Sequence, residues 1–425
     1  MKAAIIGILG LVNPVLQPPP SPVDASVLQG LKYFDQLETL FRRLHDVGCK
    51  RDAAHNRRLH YDQYCMLILL FLFNPAVKTL RSLQQTSALK NVQRRLGCPR
   101  MSLGSFSESV DVFDPERLKE IIGELGQQLQ PHCRDPRLNE LRHTVTLVDA
   151  TLLTALPRMA EASFLKTNTG SGLTKWRLHT HFEVDRHVPI RIDVTRATGG
   201  DADERAVLRR TIASDRLYVM DRGYAMFRLF NEIVAAGSSY VCRIRDNSAW
   251  EEIEERSLSP AAVAERVTQD VIITLGRSSK KTARPDHQMR LITIQCQPHR
   301  KAGRSQRYSR AGSTGPACDG VLRLVTNLLD APAEIIALLY HYRWTIEIFF
   351  RFFKQILGCR HLLSHAQNGI EIQTYCAIIA CMLISLLTDR KPTLRTYEMI
   401  CWYLIGVADL EEVLGHIAKL KKQDE

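Results

Sequence analysis

The order of strand and helix patterns between residues 143 and 246 restricts the fold of this chain more than any other feature. A β-branched apolar run comes first, two alternating segments that predict a hairpin follow, and then helix, strand, helix and strand patterns. The strand patterns cover 143–153, 175–185, 187–197, 216–221 and 238–246, and the helix patterns cover 201–212 and 224–237. This order predicts an α/β layer built on a mixed sheet.

The composition and the helix and strand patterns change on either side of this layer, which predicts a division of the chain into six parts. A tail with a Pro-rich linker precedes a helical basic region, and the first part of the core follows. A β-rich insertion with a basic loop then separates this part from the second part of the core, which carries a long helix, and further helices end the chain. The predicted boundaries are 1–27, 28–140, 141–246, 247–320, 321–368 and 369–425.

The charge of the chain indicates a polyanionic partner. The net charge is +12 and the pI about 9.2. Residues 28–100 hold 13 Lys/Arg against 5 Asp/Glu, which is most of the surplus. Two interpretations of this helical region are open at this point: helix faces exposed to solvent, or a domain that contacts DNA.

Cysteine usage and the apolar runs favour a cytosolic protein that does not cross a membrane. The 11 Cys residues are scattered and form no C-x-x-C pair, so we expect reduced thiols rather than a disulfide framework or a zinc finger. The runs at 66–73 and 376–387 are shorter than the ~18–20 residues that a membrane span needs, and we expect buried helices there.

The long helix after residue 332 carries an unusual stripe of polar side chains. At 100° per residue, Tyr340, Arg343, Glu347 and Lys354 fall within a 60° arc, and Trp344 lies beside them. A carboxylate surrounded by Arg, Lys and Tyr is unusual for a plain amphipathic helix. A stripe of surface ion pairs is the alternative interpretation.

Two further carboxylates follow apolar strand patterns. Asp149 ends the strand pattern VTLV, and Asp221 ends LYVM. An acidic residue at the end of a buried strand loses hydration unless it binds something, and hard divalent cations prefer oxygen ligands. Together with Glu347, these side chains form a candidate site for two Mg²⁺ ions that would promote an in-line phosphoryl transfer.

At these residues the sequence resembles a known family. The spacing Tyr-x₂-Arg-x₃-Glu-x₆-Lys, at Tyr340, Arg343, Glu347 and Lys354, is similar to the signature of the insertion-sequence-four family of bacterial DDE transposases. The segment from Asp221 to Tyr224 and the segment TLVDAT resemble the family's sequences around its two Asp residues. The resemblance covers roughly residues 143–370.

The resemblance implies a ribonuclease H-like catalytic core with a β-strand insertion before the Glu helix. It implies Asp149, Asp221 and Glu347 as ligands of two Mg²⁺ ions, for which Mn²⁺ would substitute. It implies a bacterial cytoplasmic, nucleoid-associated enzyme that binds double-stranded DNA at the element's ends and at the target. The family acts as a homodimer in a synaptic complex, often through a DNA hairpin, and needs no ATP.

The resemblance also implies side chains that hold DNA. Those expected to contact it are Tyr340, Arg343, Lys354, Arg222, Tyr224, Trp344, Trp250, Arg243 and Arg245. Arg offers a planar fork and Lys a point charge for phosphate. A hairpin route needs an aromatic side chain for a flipped base, and either Trp fits that role or lies in the core. The basic stretch 277–310 suits backbone contact or is a disordered loop.

Three functional hypotheses share these residues. The first is a transposase that cuts and joins DNA. The second is a ribonuclease H-like nuclease that only hydrolyses DNA. The third is an inactive or regulatory DNA-binding relative. The pair His179 and His181 lies on one strand face, but no third ligand follows at a zinc-like spacing, so packing and hydrogen bonding are favoured there.

Overall fold

The computed structural model describes residues 39–47, 57–131, 135–154, 175–196, 200–245, 248–276, 284–296, 320–356, 362–364 and 366–421. Within them, nine strands form one mixed sheet in the order β3-β2-β1-β4-β5-β9-β8-β7-β6. The strands are β1 Thr144–Thr154, β2 Lys175–Glu183, β3 Val188–Arg196, β4 Arg216–Met220, β5 Ser239–Arg243, β6 Trp250–Glu255, β7 Val267–Leu275, β8 Met289–Gln295 and β9 Val321–Thr326. The predicted α/β class with a mixed sheet is confirmed.

The first half of the sheet combines an antiparallel meander with parallel strands. β1 pairs antiparallel with β2, and β2 pairs antiparallel with β3. On its other side β1 pairs parallel with β4, which pairs parallel with β5. The crossover between β1 and β4 passes through β2 and β3 and the helix α6, Glu204–Arg210, and the one between β4 and β5 contains α7, Phe227–Ala235. Both parallel connections are therefore long enough for a crossover.

The strands of the predicted insertion extend the same sheet. β9 pairs antiparallel with β5, and β8, β7 and β6 follow outward in antiparallel pairs. The short helix α8, Pro260–Ala264, connects β6 to β7. Of the predicted basic stretch 277–310, residues 284–296 are described and include β8, whereas the rest lies outside the described residues.

Helices precede and follow the sheet in the chain. The first five are α1 Tyr61–Phe73, α2 Leu80–Ser87, α3 Lys90–Leu96, α4 Leu103–Val112 and α5 Glu116–Gln128. The last four are α9 Ala333–Ile356, α10 Gln367–Thr388, α11 Leu394–Leu404 and α12 Leu410–Lys421. The helical character predicted for 28–140 and 369–425 is confirmed where these regions are described.

The strands bury alternate side chains in two separate cores, because successive residues of a strand point to opposite faces of the sheet. In β4, Leu217 and Val219 belong to a large core that also contains side chains of α1, α5, α9 and α10. Tyr218 and Met220 belong to a smaller core with α6 and α7. Helices therefore cover both faces of the sheet.

The helix α10 lies inside the protein. It is the one helix among the described residues that is long and apolar enough to span a bilayer, and 89% of its apolar window is buried against other parts of the chain. Cys376 and Cys381 are fully buried in it. This burial agrees with the expected core helix at 376–387.

Candidate active site

The register of the parallel strands places Asp149 beside Asp221. The last paired residues of β1 and β4 are Val148 and Met220. Asp149 directly follows Val148, and Asp221 directly follows Met220. Both carboxylates therefore lie at the same edge of this strand pair. The strand predicted over 143–153 is confirmed as β1, but Asp149 lies within this strand and not, as the pattern VTLV had indicated, at its end. β1 continues to Thr154 because its antiparallel pairing with β2 continues, with Asp149 opposite Thr180.

The alternation of the strands directs both Asp side chains toward the face that α9 covers. Leu147 and Val219, each two residues earlier, lie in the core that contains Ile346 and Phe349 of α9. Glu347 lies on the same helix with 31% of its side chain exposed. The structure therefore collects the three predicted carboxylates in one region, two from strand ends and one from the helix.

Arg343 connects the helix to the strands. Its guanidinium donates a hydrogen bond to Glu347 over 2.7 Å, and another of its nitrogens lies 3.7 Å from an oxygen of Asp149. The guanidinium also lies 5.6 Å from the centre of the Tyr340 ring, within cation–π range. Only 16% of the Arg343 side chain is exposed. Its positive charge is therefore shared by two carboxylates in a largely dry setting.

Asp149 is held in an environment that opposes its ionisation. Burial raises the pKa of this carboxyl group to about 7, and the nearby charges of Asp221 and Glu204 act in the same direction. The N–H of Ala150, which donates to Asp149 over 2.8 Å, and the charge of Arg343 lower the pKa but do not cancel the effect. A cation bound at Asp149 would offset the repulsion of its carboxylate by Asp221 and Glu204.

Asp221 is fixed by the turn that follows β4. Its carboxylate accepts a hydrogen bond of 2.7 Å from the backbone N–H of Gly223, which caps the short 3₁₀ turn Arg222–Tyr224. A Cβ atom added at Gly223 would lie 2.9 Å from that same carboxylate oxygen. The backbone of the turn therefore approaches Asp221 closely, and a side chain at position 223 would force this carboxylate to shift.

Two residues that the sequence did not single out also belong to this region. Glu204 begins α6, and burial followed by the charges of Asp221 and Asp203 raises its pKa despite the nearby Arg177. Arg177 of β2 lies 3.4 Å from Glu204. An acidic residue in the first turn of a helix is common for reasons of the helix dipole, so the sequence alone carried no signal for Glu204.

Tyr224 does not lie where a DNA contact requires it. The residue is 1% exposed, and its ring packs in the core beneath α6 and α7. Its hydroxyl group is buried without a hydrogen-bond partner among the described residues. Glu204, Asp149 and Asp221 all act on its pKa, which burial raises. The buried ring therefore has no free face for a phosphate. Its hydroxyl group lies close enough to Glu204, Asp149 and Asp221 to interact with them electrostatically.

The other predicted DNA contacts differ in exposure. Trp344 is 51% exposed, with the Arg351 guanidinium 5.7 Å from its ring. Trp250 begins the edge strand β6 and is half-buried against the smaller core, with Arg323 5.8 Å from its ring. Three of the basic residues, Arg222, Arg243 and Lys354, are half-buried, and Arg245 is exposed beyond the end of β5.

Arg243 and Tyr340 are linked electrostatically. Burial raises the pKa of Tyr340 to about 12, and the charges of Arg343 and Arg243 partly oppose this rise. Tyr340 therefore keeps its proton at neutral pH and is available as a hydrogen-bond donor. The structure thus brings Arg243 into the same region as the helix stripe.

The three predicted ligands do not yet form a closed metal cage. Among the described residues, the one group of three metal-ligating side chains with ligand atoms within 4.8 Å of one another is His45, Asp46 and His60, far along the chain from the carboxylates. Arg343 lies against Asp149 and Glu347 and occupies the carboxylate oxygens instead. The oxygen-only donor set nevertheless fits a hard divalent cation.

His179 and His181 are packed rather than poised for a metal. They are 3% and 4% exposed and bond to Thr195 and Thr211, respectively. Burial lowers the pKa of each imidazole to about 4, so both rings are neutral at physiological pH. This agrees with the expected packing role.

Comparisons with known proteins point to one family. The family profile described as "Transposase DDE domain" matches residues 140–383. A protein of Sinorhizobium fredii that is named as a transposase is 27% identical over 305 residues, which cover 69% of this chain and 75% of the relative. A protein of Geobacillus stearothermophilus named as a transposase for insertion sequence element IS5377 is 26% identical over 299 residues, 69% of each chain.

Two further similarities are more limited. A Synechocystis protein named as a transposase for insertion sequence element IS4SA is 40% identical over 76 residues, 16% of this chain and 22% of the relative. A solved structure of a piggyBac transposase synaptic complex with hairpin DNA aligns with a TM-score of 0.37 and 11% identity, over 92% of this chain and 84% of that chain. The family match spans more than half of the chain, and it shows that this protein belongs to the transposases with a DDE domain.

Proposed function

We propose that this protein is the DNA transposase of a bacterial insertion sequence of the insertion-sequence-four type. It binds the terminal inverted repeats of its element, cuts the DNA there and joins the freed 3′ ends to a target. The observation that carries the proposal is the parallel pairing of Val148 with Met220, since Asp149 and Asp221 are the residues that follow this pair at one edge of the sheet. Membership of the transposase family gives this constellation its chemistry.

The proposed fold is a ribonuclease H-like core with an insertion that lengthens the sheet. The order β3-β2-β1-β4-β5, with β1 parallel to β4 and antiparallel to β2, supports this proposal. The proposed domain division remains 28–140 for DNA binding, 141–246 and 321–368 for the core, 247–320 for the insertion and 369–425 for the C-terminal helices.

Asp149, Asp221 and Glu347 would hold two Mg²⁺ ions, with Mn²⁺ as a substitute. The support is the oxygen-only donor set and the burial of Asp149, which raises the pKa of its carboxyl group, with the nearby charges of Asp221 and Glu204 acting in the same direction. Bound Mg²⁺ would supply electrophilic stabilisation of the phosphoryl group that is transferred. Because the reaction exchanges one phosphodiester bond for another, it requires no ATP.

The helix stripe would bind the phosphate backbone next to the scissile bond. Arg343 neutralises Asp149 and Glu347 and has further N–H groups to offer to a phosphate. Tyr340, protonated at neutral pH, donates from the preceding turn. Lys354 lies two turns after Glu347 on the same side of the helix, where a flexible ammonium group can follow the DNA strand.

The remaining basic and aromatic residues differ in how well their positions suit contact with DNA. Arg222 directly follows Asp221, Arg243 ends β5 and Arg245 is exposed beyond it, and these positions suit contacts with the DNA backbone. Trp344, half-exposed on the catalytic helix, is better placed to stack on an extruded base than Trp250, which packs against the smaller core. Tyr224 is reassigned to a buried support beneath Asp149 and Asp221.

Arg177 and Glu204 complete the proposed site as positioning residues. Glu204 adds a fourth carboxylate near Asp221, and Arg177 limits the resulting repulsion. The partners of the enzyme would be double-stranded DNA and a second copy of the chain in the synaptic complex. The enzyme would act in the bacterial cytoplasm at the nucleoid.

The test is a cleavage assay on DNA that carries the gene's own flanking ends. Wild type and Glu347→Gln are compared in Mg²⁺ and in EDTA, and end binding is measured in parallel. We expect nicks at the element boundary that need both the metal and Glu347, while the variant still binds the ends. End binding without any cleavage by the wild type would indicate a regulatory relative, and cleavage without end specificity would indicate a nuclease.

A further inference from the structure

A cluster of three metal-ligating side chains lies outside the carboxylate site. His45 and Asp46 belong to the turn that follows residues 39–42, and His60 directly precedes α1. One ligand atom from each of the three lies within 4.8 Å of those from the other two. The proposed transposition chemistry makes no use of these side chains.

The hydrogen bonds around the two imidazoles leave one nitrogen of each ring available. The Nδ1 atom of His45 lies 2.9 and 3.0 Å from the two carboxylate oxygens of Asp62. The Nδ1 atom of His60 lies 2.9 Å from the backbone carbonyl oxygen of His45. Among the described residues, neither Nε2 atom has a hydrogen-bond partner. A carboxylate or a carbonyl that holds the far nitrogen of an imidazole is the usual outer partner of a metal-ligating histidine.

The rings and the turn are also held in place. The two imidazoles stack with their centroids 3.7 Å apart at an interplanar angle of 7°. Arg57 donates to the carbonyl oxygens of Val47 and His45 over 2.9 and 3.1 Å, which ties the turn to the segment before α1. The Asp46 side chain is exposed and can turn toward the imidazoles without an energetic cost from burial.

We propose that His45, His60 and Asp46 bind a divalent transition-metal ion, with Zn²⁺ as the ion that fits best. Two imidazoles and one carboxylate form a donor set that Zn²⁺ accepts at about 2.0–2.2 Å, with water at a fourth position. Ligands of such a tetrahedral ion lie roughly 3.3 Å apart, so the trio contracts by no more than about 1.5 Å. Because the rings are nearly parallel, they would have to tilt for one nitrogen of each ring to point at the ion.

Such an ion would cross-link two segments that are 15 residues apart in the chain. The linked segments are the turn at 45–47 and the start of α1, whose buried side chains belong to the large core. The ion would therefore stabilise the start of the basic helical region, independently of the Mg²⁺ ions proposed for the carboxylates. Hard Mg²⁺ disfavours imidazole ligands, which keeps the two sites chemically distinct.

The test measures zinc binding by the full-length protein after removal of metals with a chelator. Zinc stoichiometry and affinity are determined by competition with a chromogenic chelator, and Co²⁺ is used as a spectroscopic probe. We compare wild type with the double variant His45→Ala/His60→Ala and with Asp46→Asn. Asp149→Asn serves as a control that disables the carboxylate site, and His341→Ala removes an exposed histidine elsewhere.

We expect one high-affinity zinc ion per chain in wild type, Asp149→Asn and His341→Ala, and none in the double variant. Zinc should raise the melting temperature of the wild type but not that of the double variant. Asp62→Asn, which touches only the far side of His45, should weaken zinc binding about 10–100-fold without loss of the fold. Absence of zinc binding by the wild type, or equal binding by all variants, would overturn the proposal.

Discussion

Asp149→Asn should make the protein more stable in the absence of metal, although it removes a proposed metal ligand. In the folded chain the pKa of Asp149 is about 7. In an unfolded chain an Asp titrates near ~3.9. The difference of about three pKa units corresponds to about 4 kcal/mol of unfavourable free energy when the carboxyl group is ionised. Asparagine has nearly the same size but no charge, so it removes this cost.

The sign of the effect depends on pH in a defined way. A carboxyl group with a raised folded-state pKa costs nothing when it is protonated in both states, below about pH 4. The cost grows as the pH rises and reaches its full size above the folded-state pKa of about 7. Between pH 5 and pH 8 the advantage of the variant should therefore grow by roughly 3 kcal/mol. The charge of Arg343 lowers the pKa of Asp149, so its attraction to the ionised carboxylate is already included in the figure of about 4 kcal/mol.

The assay is urea unfolding in EDTA at pH 5, 6.5 and 8, with Asp193→Asn as the matched control. Asp193 bonds to Arg191 over 2.6 Å and to Lys119 over 3.1 Å, and its pKa is lowered. Its replacement should therefore destabilise the protein at neutral pH, in contrast to Asp149→Asn. When Mg²⁺ replaces EDTA, it should stabilise the wild type and reduce the difference in the free energy of unfolding between the wild type and Asp149→Asn. A free-energy difference for Asp149→Asn that is zero or negative and independent of pH would refute this reasoning.

Three further substitutions test individual contacts of the site. Arg343→Gln removes the positive charge near Asp149 and should shift the acid limb of the pH–rate profile of end cleavage to higher pH; an unshifted profile would contradict the contact. Lys354→Ala should weaken binding of the element ends and reduce the slope of log binding constant against log salt concentration by about one. Replacement of the exposed Lys419 by Ala should leave both the affinity and this slope unchanged. Gly223→Ala places a Cβ 2.9 Å from the Asp221 carboxylate and should lower cleavage at least tenfold, as measured in single-turnover assays. The helical Gly123→Ala, which meets no atom within 4 Å, is its control, and full activity of Gly223→Ala would show that Asp221 tolerates displacement.

Local patterns predicted most of the sheet and the helix that carries Glu347. Periodicity located the strands from Thr144 to Arg243, since alternating burial is encoded residue by residue. The spacing of Arg343 and Glu347 by four residues predicted that they share a helix face, and a hydrogen bond of 2.7 Å joins them. The polar stripe of this helix could thus be predicted from residue spacing alone, without knowledge of tertiary contacts.

Contacts between distant segments could not be predicted in the same way. The ion pair of Arg343 with Asp149 and the proximity of Glu204 to Asp221 depend on sheet register and helix placement. The burial of Tyr224 depends on the packing of α6 and α7 above the 3₁₀ turn, whereas the resemblance implied that Tyr224 contacts DNA. The position of Asp149 within β1, rather than at its end, was missed for a related reason, because pairing with β2 continues beyond Asp149.

Strand transfer by the purified protein is the measurement that tests the central claim most directly. Labelled DNA with a pre-cleaved element end and a free 3′-hydroxyl group is incubated with a supercoiled target plasmid, Mg²⁺ and either wild type or Glu347→Gln. A transposase should join the labelled end to the plasmid without ATP, and the variant should form no product. Hydrolysis of the DNA by the wild type without any joined product would contradict the proposed function.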